Sequence, residues 1–181
     1  MTLHDLFLLS PELSVVGLAS LIVLVDLIVR RKDILPWLAV VGLAVPLGLS
    51  IALWFDLNSD GVVATQGIFG TLVVDKFSLF FKFMFVGVAG IVVLASAEYV
   101  RNFQRFQAEY YALVLFSTAG MMLLASTMEL ITIFIALELT ILPVAALAAF
   151  LRDSRSTEAG IKLLILSAIS SAVLLYGMVI V

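Results

Sequence analysis

Six apolar runs, each close to the length needed to cross a bilayer as a helix, divide this chain. A helix crossing about 30 Å of hydrocarbon needs about 20 apolar residues, and the runs fall at roughly 13–29, 34–55, 77–97, 110–125, 130–151 and 157–181. The stretch from Tyr110 to Phe150 forces a turn, because one straight helix of that length would reach about 60 Å at a rise of 1.5 Å per residue. The break is placed at Ser126-Thr127-Met128-Glu129. Either hydroxyl there can cap the next helix, and Glu129 falls in its favourable first turn. Of the 181 residues, 64% are hydrophobic and 13% charged, against about 45–50% and 25% in ordinary soluble domains. The predicted fold class is therefore all-α: a polytopic transmembrane helix bundle forming a single membrane domain over residues 1–181.

Several chemistries are excluded by residue type. With no cysteine, the chain can form neither disulfides nor thiolate-ligated iron–sulfur clusters. Its one histidine, His4, lies in the polar N-terminal stub, so no metal site or histidine relay within the membrane can be built from these residues alone. There is no Gly-rich phosphate loop of either common spacing. A net charge of −3 gives no sign of nucleic-acid binding. Met1 to Pro11 holds no Lys or Arg before the first apolar run, unlike a secretory signal peptide, so the first span is read as a retained anchor.

Charge sidedness gives an orientation. Arg30, Arg31 and Lys32, then Arg101 and Arg105, then Arg152 and Arg155 all fall on one side, while the opposite connections carry acids such as Asp56, Asp60 and Glu129. Basic loops stay inside, which places the N-terminus outside. The segment Asp56–Val74, rich in Gly with an apolar middle, reads as either an ordered hairpin or a short re-entrant piece. The last span ends in Tyr176-Gly177-Met178-Val179-Ile180-Val181 without a polar anchor. The chain accordingly reads as part of a longer protein.

Glu138 stands out because it is the one formal charge between Glu129 and Leu151. A carboxylate at the centre of a transmembrane helix costs roughly 2.5–3.5 kcal/mol on insertion scales. Three roles are open to it: a proton site, half of a structural ion pair, or a protonated carboxyl hydrogen-bonded between helices. Low polarity favours proton exchange near neutral pH unless a cation offsets it. Pro143 lacks the N–H that the Leu139 carbonyl would otherwise accept, so it bends and loosens the helix beside Glu138, or is an ordinary tolerated proline. Lys162 lies about 9 Å into the sixth span if Ser156 caps that helix, and about 10 Å in depth from Glu138. It is either a relay member or an anchor snorkelling to the interface. Asp26, Asp75, Lys76, Lys82, Glu98 and Glu109 lie within about two turns of span ends and read as interfacial anchors. Lys82 fits that role least well, since it sits a turn and a half inside the third span. Small residues such as Ala145, Ala146, Ala148 and Ala149, and Ser167, Ala168, Ser170, Ser171 and Ala172, indicate close helix packing.

The run from Glu109-Tyr110-Tyr111 through Gly120-Met121-Met122 to Ser126, then Glu129-Leu130-Ile131-Thr132, Leu137-Glu138-Leu139 and Leu142-Pro143, resembles the antiporter-like membrane subunits of respiratory complex I. Leu137, where related types carry tryptophan, together with Pro11-Glu12, Asp26-Leu27 and Glu158-Ala159-Gly160-Ile161-Lys162, resembles the N type. Val144-Ala145 departs from the aromatic residue often found after the Leu-Pro pair. The resemblance implies about fourteen spans in a full-length member, a proton-transfer role for Glu138, a secondary relay role for Lys162, and a main lysine partner on a broken seventh helix beyond this chain. It also implies no cofactor here, with NADH, FMN, iron–sulfur clusters and quinone held by partner subunits, and a multi-pass inner-membrane location. The alternatives are a stand-alone cation/proton antiporter subunit, against which the N-type residues argue, and a structural scaffold with a static Glu138.

Overall fold

The structure, a computed structural model, describes residues 3–28, 34–59, 64–67, 71–101 and 106–180. Arg30, Arg31, Lys32, Asp60, Arg105 and Val181, and the side chain of His4, lie outside the described residues. A short helix α1 (Leu3–Leu8) leads into α2 (Ser10–Ile28), and α3 (Leu35–Gly42) is followed by α4 (Ala44–Ser59). A two-stranded hairpin of β1 (Ala64–Gly67) and β2 (Leu72–Asp75) precedes α5 (Lys76–Arg101), α6 (Gln107–Ala125), α7 (Leu130–Ala148) and α8 (Ser154–Ile180). Six stretches are long and apolar enough to cross a membrane, with α3 and α4 together forming the second. The protein is an all-α polytopic membrane bundle with one small hairpin at one end. Pro46 accounts for the interruption at Leu43, because it leaves the Gly42 carbonyl without its helical donor.

Helix α6 occupies the centre. Its Ala108, Tyr111, Ala112, Leu115, Ala119 and Met122 lie along one side and pack into a core with Val15, Ala19 and Ile22 of α2 and Val86, Ala89 and Val93 of α5. Lipid is as apolar as leucine, so such helices associate through close packing, which small side chains permit. A second cluster of Leu8, Leu53, Leu57, Val74 and Leu79 fills the hairpin end.

The Asp56–Val74 segment contains an antiparallel pair in which Ala64 faces Asp75 and Gly67 faces Leu72. Strand β2 also docks on the α6–α7 connection. Val73 N–H donates to the Ser126 carbonyl at 2.7 Å, while the Met128 N–H and the Thr127 hydroxyl donate to the Thr71 carbonyl at 3.3 and 3.1 Å. This corrects the expected cap of α7. Ser126 and Thr127 satisfy the strand and the end of α6, and Glu129 itself is the N-cap residue, with no side-chain cap bond. Backbone groups of an edge strand need partners, and the connection between α6 and α7 supplies them. At the start of α5, Asp75 and Ser78 cap each other reciprocally: the Ser78 N–H donates to Asp75 Oδ1 at 2.7 Å and the Asp75 N–H to Ser78 Oγ at 3.0 Å.

The α7–α8 turn passes through Arg152 at a φ of 56°, with its guanidinium 4.2 Å from the centre of the Phe106 ring. Helix α8 is capped by Asp153, whose Oδ1 accepts the Ser156 N–H at 2.7 Å. Ser156 is thus a donor in the first turn and not the cap, so Lys162 sits about 12 Å into the helix instead of about 9 Å. Hydrogen bonds from the Ser156 side chain and then its backbone N–H hold the exposed Asp153 carboxyl below the usual carboxylate range. A depressed value means that the capping contribution is present above the unfolded-state pKa and is lost as pH falls through the folded value. Replacing Asp153 by Ala is expected to speed amide exchange at Ser156 several-fold near neutral pH. Unchanged exchange there would show that the cap contributes nothing.

Candidate functional site

Glu138 lies eight residues into the nineteen-residue α7, about 12 Å along a helix of about 28 Å, and so near its midpoint. The helix is divided by face. Ala136, Thr140 and Pro143 share one side, of which Ala136 and Pro143 are buried, and Glu138 is rotated about 140–160° away from them. The first side is pressed onto α6. Ser117 Oγ donates to the Thr140 carbonyl at 3.1 Å, and a Cβ added to Gly120 would lie 2.6 Å from Thr140 Oγ1, 2.7 Å from Thr140 N and 2.9 Å from the Leu139 carbonyl carbon. The backbone at the start of the proline-loosened turn is therefore braced by α6. The continuous helix runs through Pro143 without a break.

The other side turns towards α8. Phe134, four residues before Glu138, lines a cleft of about 540 Å³ with Leu175, Met178 and Val179. Ala145, two turns after Glu138, presents its carbonyl to Gly160, where an added Cβ would come within 3.1 Å of it. The antiparallel register defined by these two contacts sets Glu138 level with Ser171 and Lys162 level with Leu147. Glu138 and Lys162 are then nine residues apart in depth, about 13 Å. The structure does not bring them together. Lys162 Nζ pairs with Glu158 Oε1 at 2.6 Å, one helical turn back, with both side chains more than half exposed. Glu138 is partly buried and has no ion-pair partner among the described residues.

A buried pair does exist elsewhere, between residues that sequence reasoning treated separately. Lys82 Nζ lies 2.7 Å from Glu12 Oε1, with the side chains 0% and 7% exposed. Ser126 Oγ donates to the same Glu12 oxygen at 3.4 Å. Its place near the end of its span suggests an interfacial anchor for Lys82, but the side chain is fully buried against Glu12. One signal in the sequence pointed to the pair: an acid in the first turn of one span and a base a turn and a half into another, both entering from the acidic side.

Residues 127–181 match a family model described as "NADH:quinone oxidoreductase/Mrp antiporter, TM". The chain is 36% identical over 178 residues to NADH-quinone oxidoreductase subunit N of Dehalococcoides mccartyi, covering 98% of this chain and 35% of that protein. It is 38% identical over 180 residues to F(420)H(2) dehydrogenase subunit N of Methanosarcina mazei, covering 97% and 36%. In structure it is similar to a chain of respiratory complex I from Thermus thermophilus with bound aureothin, with a TM-score of 0.70 and 29% identity over 92% of this chain and 35% of that one. The chain thus spans about a third of the length of these relatives. A likeness that runs through nearly every residue here, in sequence and in fold alike, places the chain among the antiporter-like N-type membrane subunits of NADH:quinone oxidoreductase.

Proposed function

We propose that this chain is the proton-translocating portion of an N-type membrane-arm subunit, in which Glu138 takes up and releases protons while quinone is reduced in partner subunits. The observation that carries the reading is a carboxyl at mid-length of an apolar helix, without an ion-pair partner among the described residues and turned away from the tightly packed α6 face. Such a group responds strongly to a cation that approaches or withdraws, because in low dielectric a nearby charge shifts proton affinity by several units. Lys162, at the basic end and about 13 Å away in depth, suits a station between solvent and the interior. Pro143 frees the Leu139 carbonyl as an acceptor beside Glu138.

The subunit itself performs no redox chemistry in this proposal. NADH or another donor, FMN, iron–sulfur clusters and quinone belong to partner subunits. The relatives include both an NADH-linked and an F(420)H(2)-linked subunit, so the donor is a property of the partners. The site is proposed to lie in the inner membrane with the Arg101 and Arg152 end inside, in contact with the other membrane-arm subunits.

The test is Glu138→Gln in the full-length subunit within the assembled complex, with proton translocation and quinone reduction measured in sealed vesicles. Protons moved per quinone reduced are expected to fall tenfold or more with assembly intact. Wild-type translocation would refute the proposal in favour of a static scaffold.

A further inference from the structure

We propose that Glu12 and Lys82 form a second proton-transfer station, at the hairpin end of the bundle. The inference rests on the reading that this subunit moves protons, and it assigns that activity to residues on α2 and α5 that lie outside the Glu138 site.

Three observations carry it. Burial is nearly complete, with 0% and 7% of the side chains exposed. Hydrogen bonding is also unfinished: Glu12 Oε2 has no partner, and Lys82 Nζ, despite lying 2.7 Å from Oε1, has no aligned acceptor among the described residues. A pair kept only for cohesion is a poor solution, since burying two charges costs several kcal/mol per ion and an apolar pair of similar volume often serves as well or better. The third observation is depth. Lys82 is six residues from the start of α5 and Glu138 eight from the start of α7, and β2 ties those two helix starts together through Thr127. The polar atoms of the pair reach the level of Ser126, four residues before α7 begins, whereas Glu138 lies about 12 Å into that helix. Protons passing between them would move from the hairpin end towards the middle of the bundle.

The transfer conserves protons. A proton arriving on Glu12 Oε2 neutralises the carboxylate, and Lys82, having lost its counter-charge, releases one proton from Nζ. Movement of the Glu12 proton to the Lys82 amine then restores carboxylate and ammonium. One proton enters, one leaves and no electron moves. Ser126, whose hydroxyl reaches Glu12 Oε1 and whose carbonyl holds Val73, positions the carboxylate against the hairpin.

The test uses two variants of the full-length subunit in the assembled complex. Lys82→Arg keeps a cation opposite Glu12 but cannot release its proton. The double variant Glu12→Gln/Lys82→Met removes both charges and leaves neither unpaired. The station predicts that both variants assemble and that protons translocated per quinone reduced fall tenfold or more in each. Wild-type translocation by either variant overturns it, and so does failure of both to assemble, which would make the pair a structural clamp. Glu138→Gln, measured alongside, separates the two ideas. Translocation lost in Glu138→Gln but intact in the pair variants sinks the station alone, whereas translocation intact in Glu138→Gln sinks the function on which it rests.

Discussion

Replacing Lys82 by Met, with Glu12 left in place, is expected to destabilise the bundle by about 3–5 kcal/mol, the usual cost of stranding one member of a buried ion pair. The side chain it removes is fully enclosed, and the carboxylate left behind has one remaining donor among the described residues, Ser126 Oγ at 3.4 Å. That single long bond cannot replace an ammonium at 2.7 Å. The damage would spread along a defined route, since Ser126 also accepts the Val73 N–H and Thr127 bridges Leu72, so the hairpin and the start of α7 should loosen together. In the solubilised complex this would appear as a lower thermal midpoint and as proteolytic sensitivity near the hairpin. Adding Glu12→Gln should recover most of the loss, giving a coupling energy of several kcal/mol in a double-mutant cycle. Equal midpoints for wild type and Lys82→Met would mean that solvent or lipid headgroups reach the carboxylate.

Gly120→Ala is expected to force α6 and α7 apart. The new Cβ would meet Thr140 Oγ1 at 2.6 Å, Thr140 N at 2.7 Å and the Leu139 carbonyl carbon at 2.9 Å, all far inside ordinary contact. A hydroxyl can rotate away, but two backbone atoms in mid-helix cannot. Overpacking of this kind costs about 1–3 kcal/mol even where neighbours adjust, and here the adjustment displaces the turn that carries Glu138. Reduced assembly and reduced proton translocation are both expected. Combining Gly120→Ala with Thr140→Ala clears only the hydroxyl contact, so it should restore little, and full recovery would show that the backbone contacts are not limiting.

Much of the architecture is legible in the amino-acid sequence. Apolar run length fixes the presence of a spanning helix because lipid offers the backbone no other partners. The DxxS spacing at Asp75 and Ser78 and the Pro at position 46 also act within a few residues of where they stand. The caps expected from single hydroxyls fared less well. Ser126 and Thr127 were available to α7, but a strand more than fifty residues earlier in the chain claimed them, and Asp153 displaced Ser156 by sitting three residues closer to the turn.

The candidate sites divide in the same way. Glu138 was conspicuous because a lone carboxyl in an apolar run is costly wherever that run packs, and its distance from Lys162 follows almost entirely from counting along two helices. The sequence by itself thus determined that this is a helical membrane protein with an ionisable group at mid-depth. Only the tertiary structure decided that Lys82 is buried against Glu12, and that α6 presses on one face of α7 while Glu138 occupies the other. The reason is physical: transfer energies and backbone hydrogen bonding act locally along the chain, whereas the partner of a charge is whichever group packing brings within a few ångströms, here one that is seventy residues away.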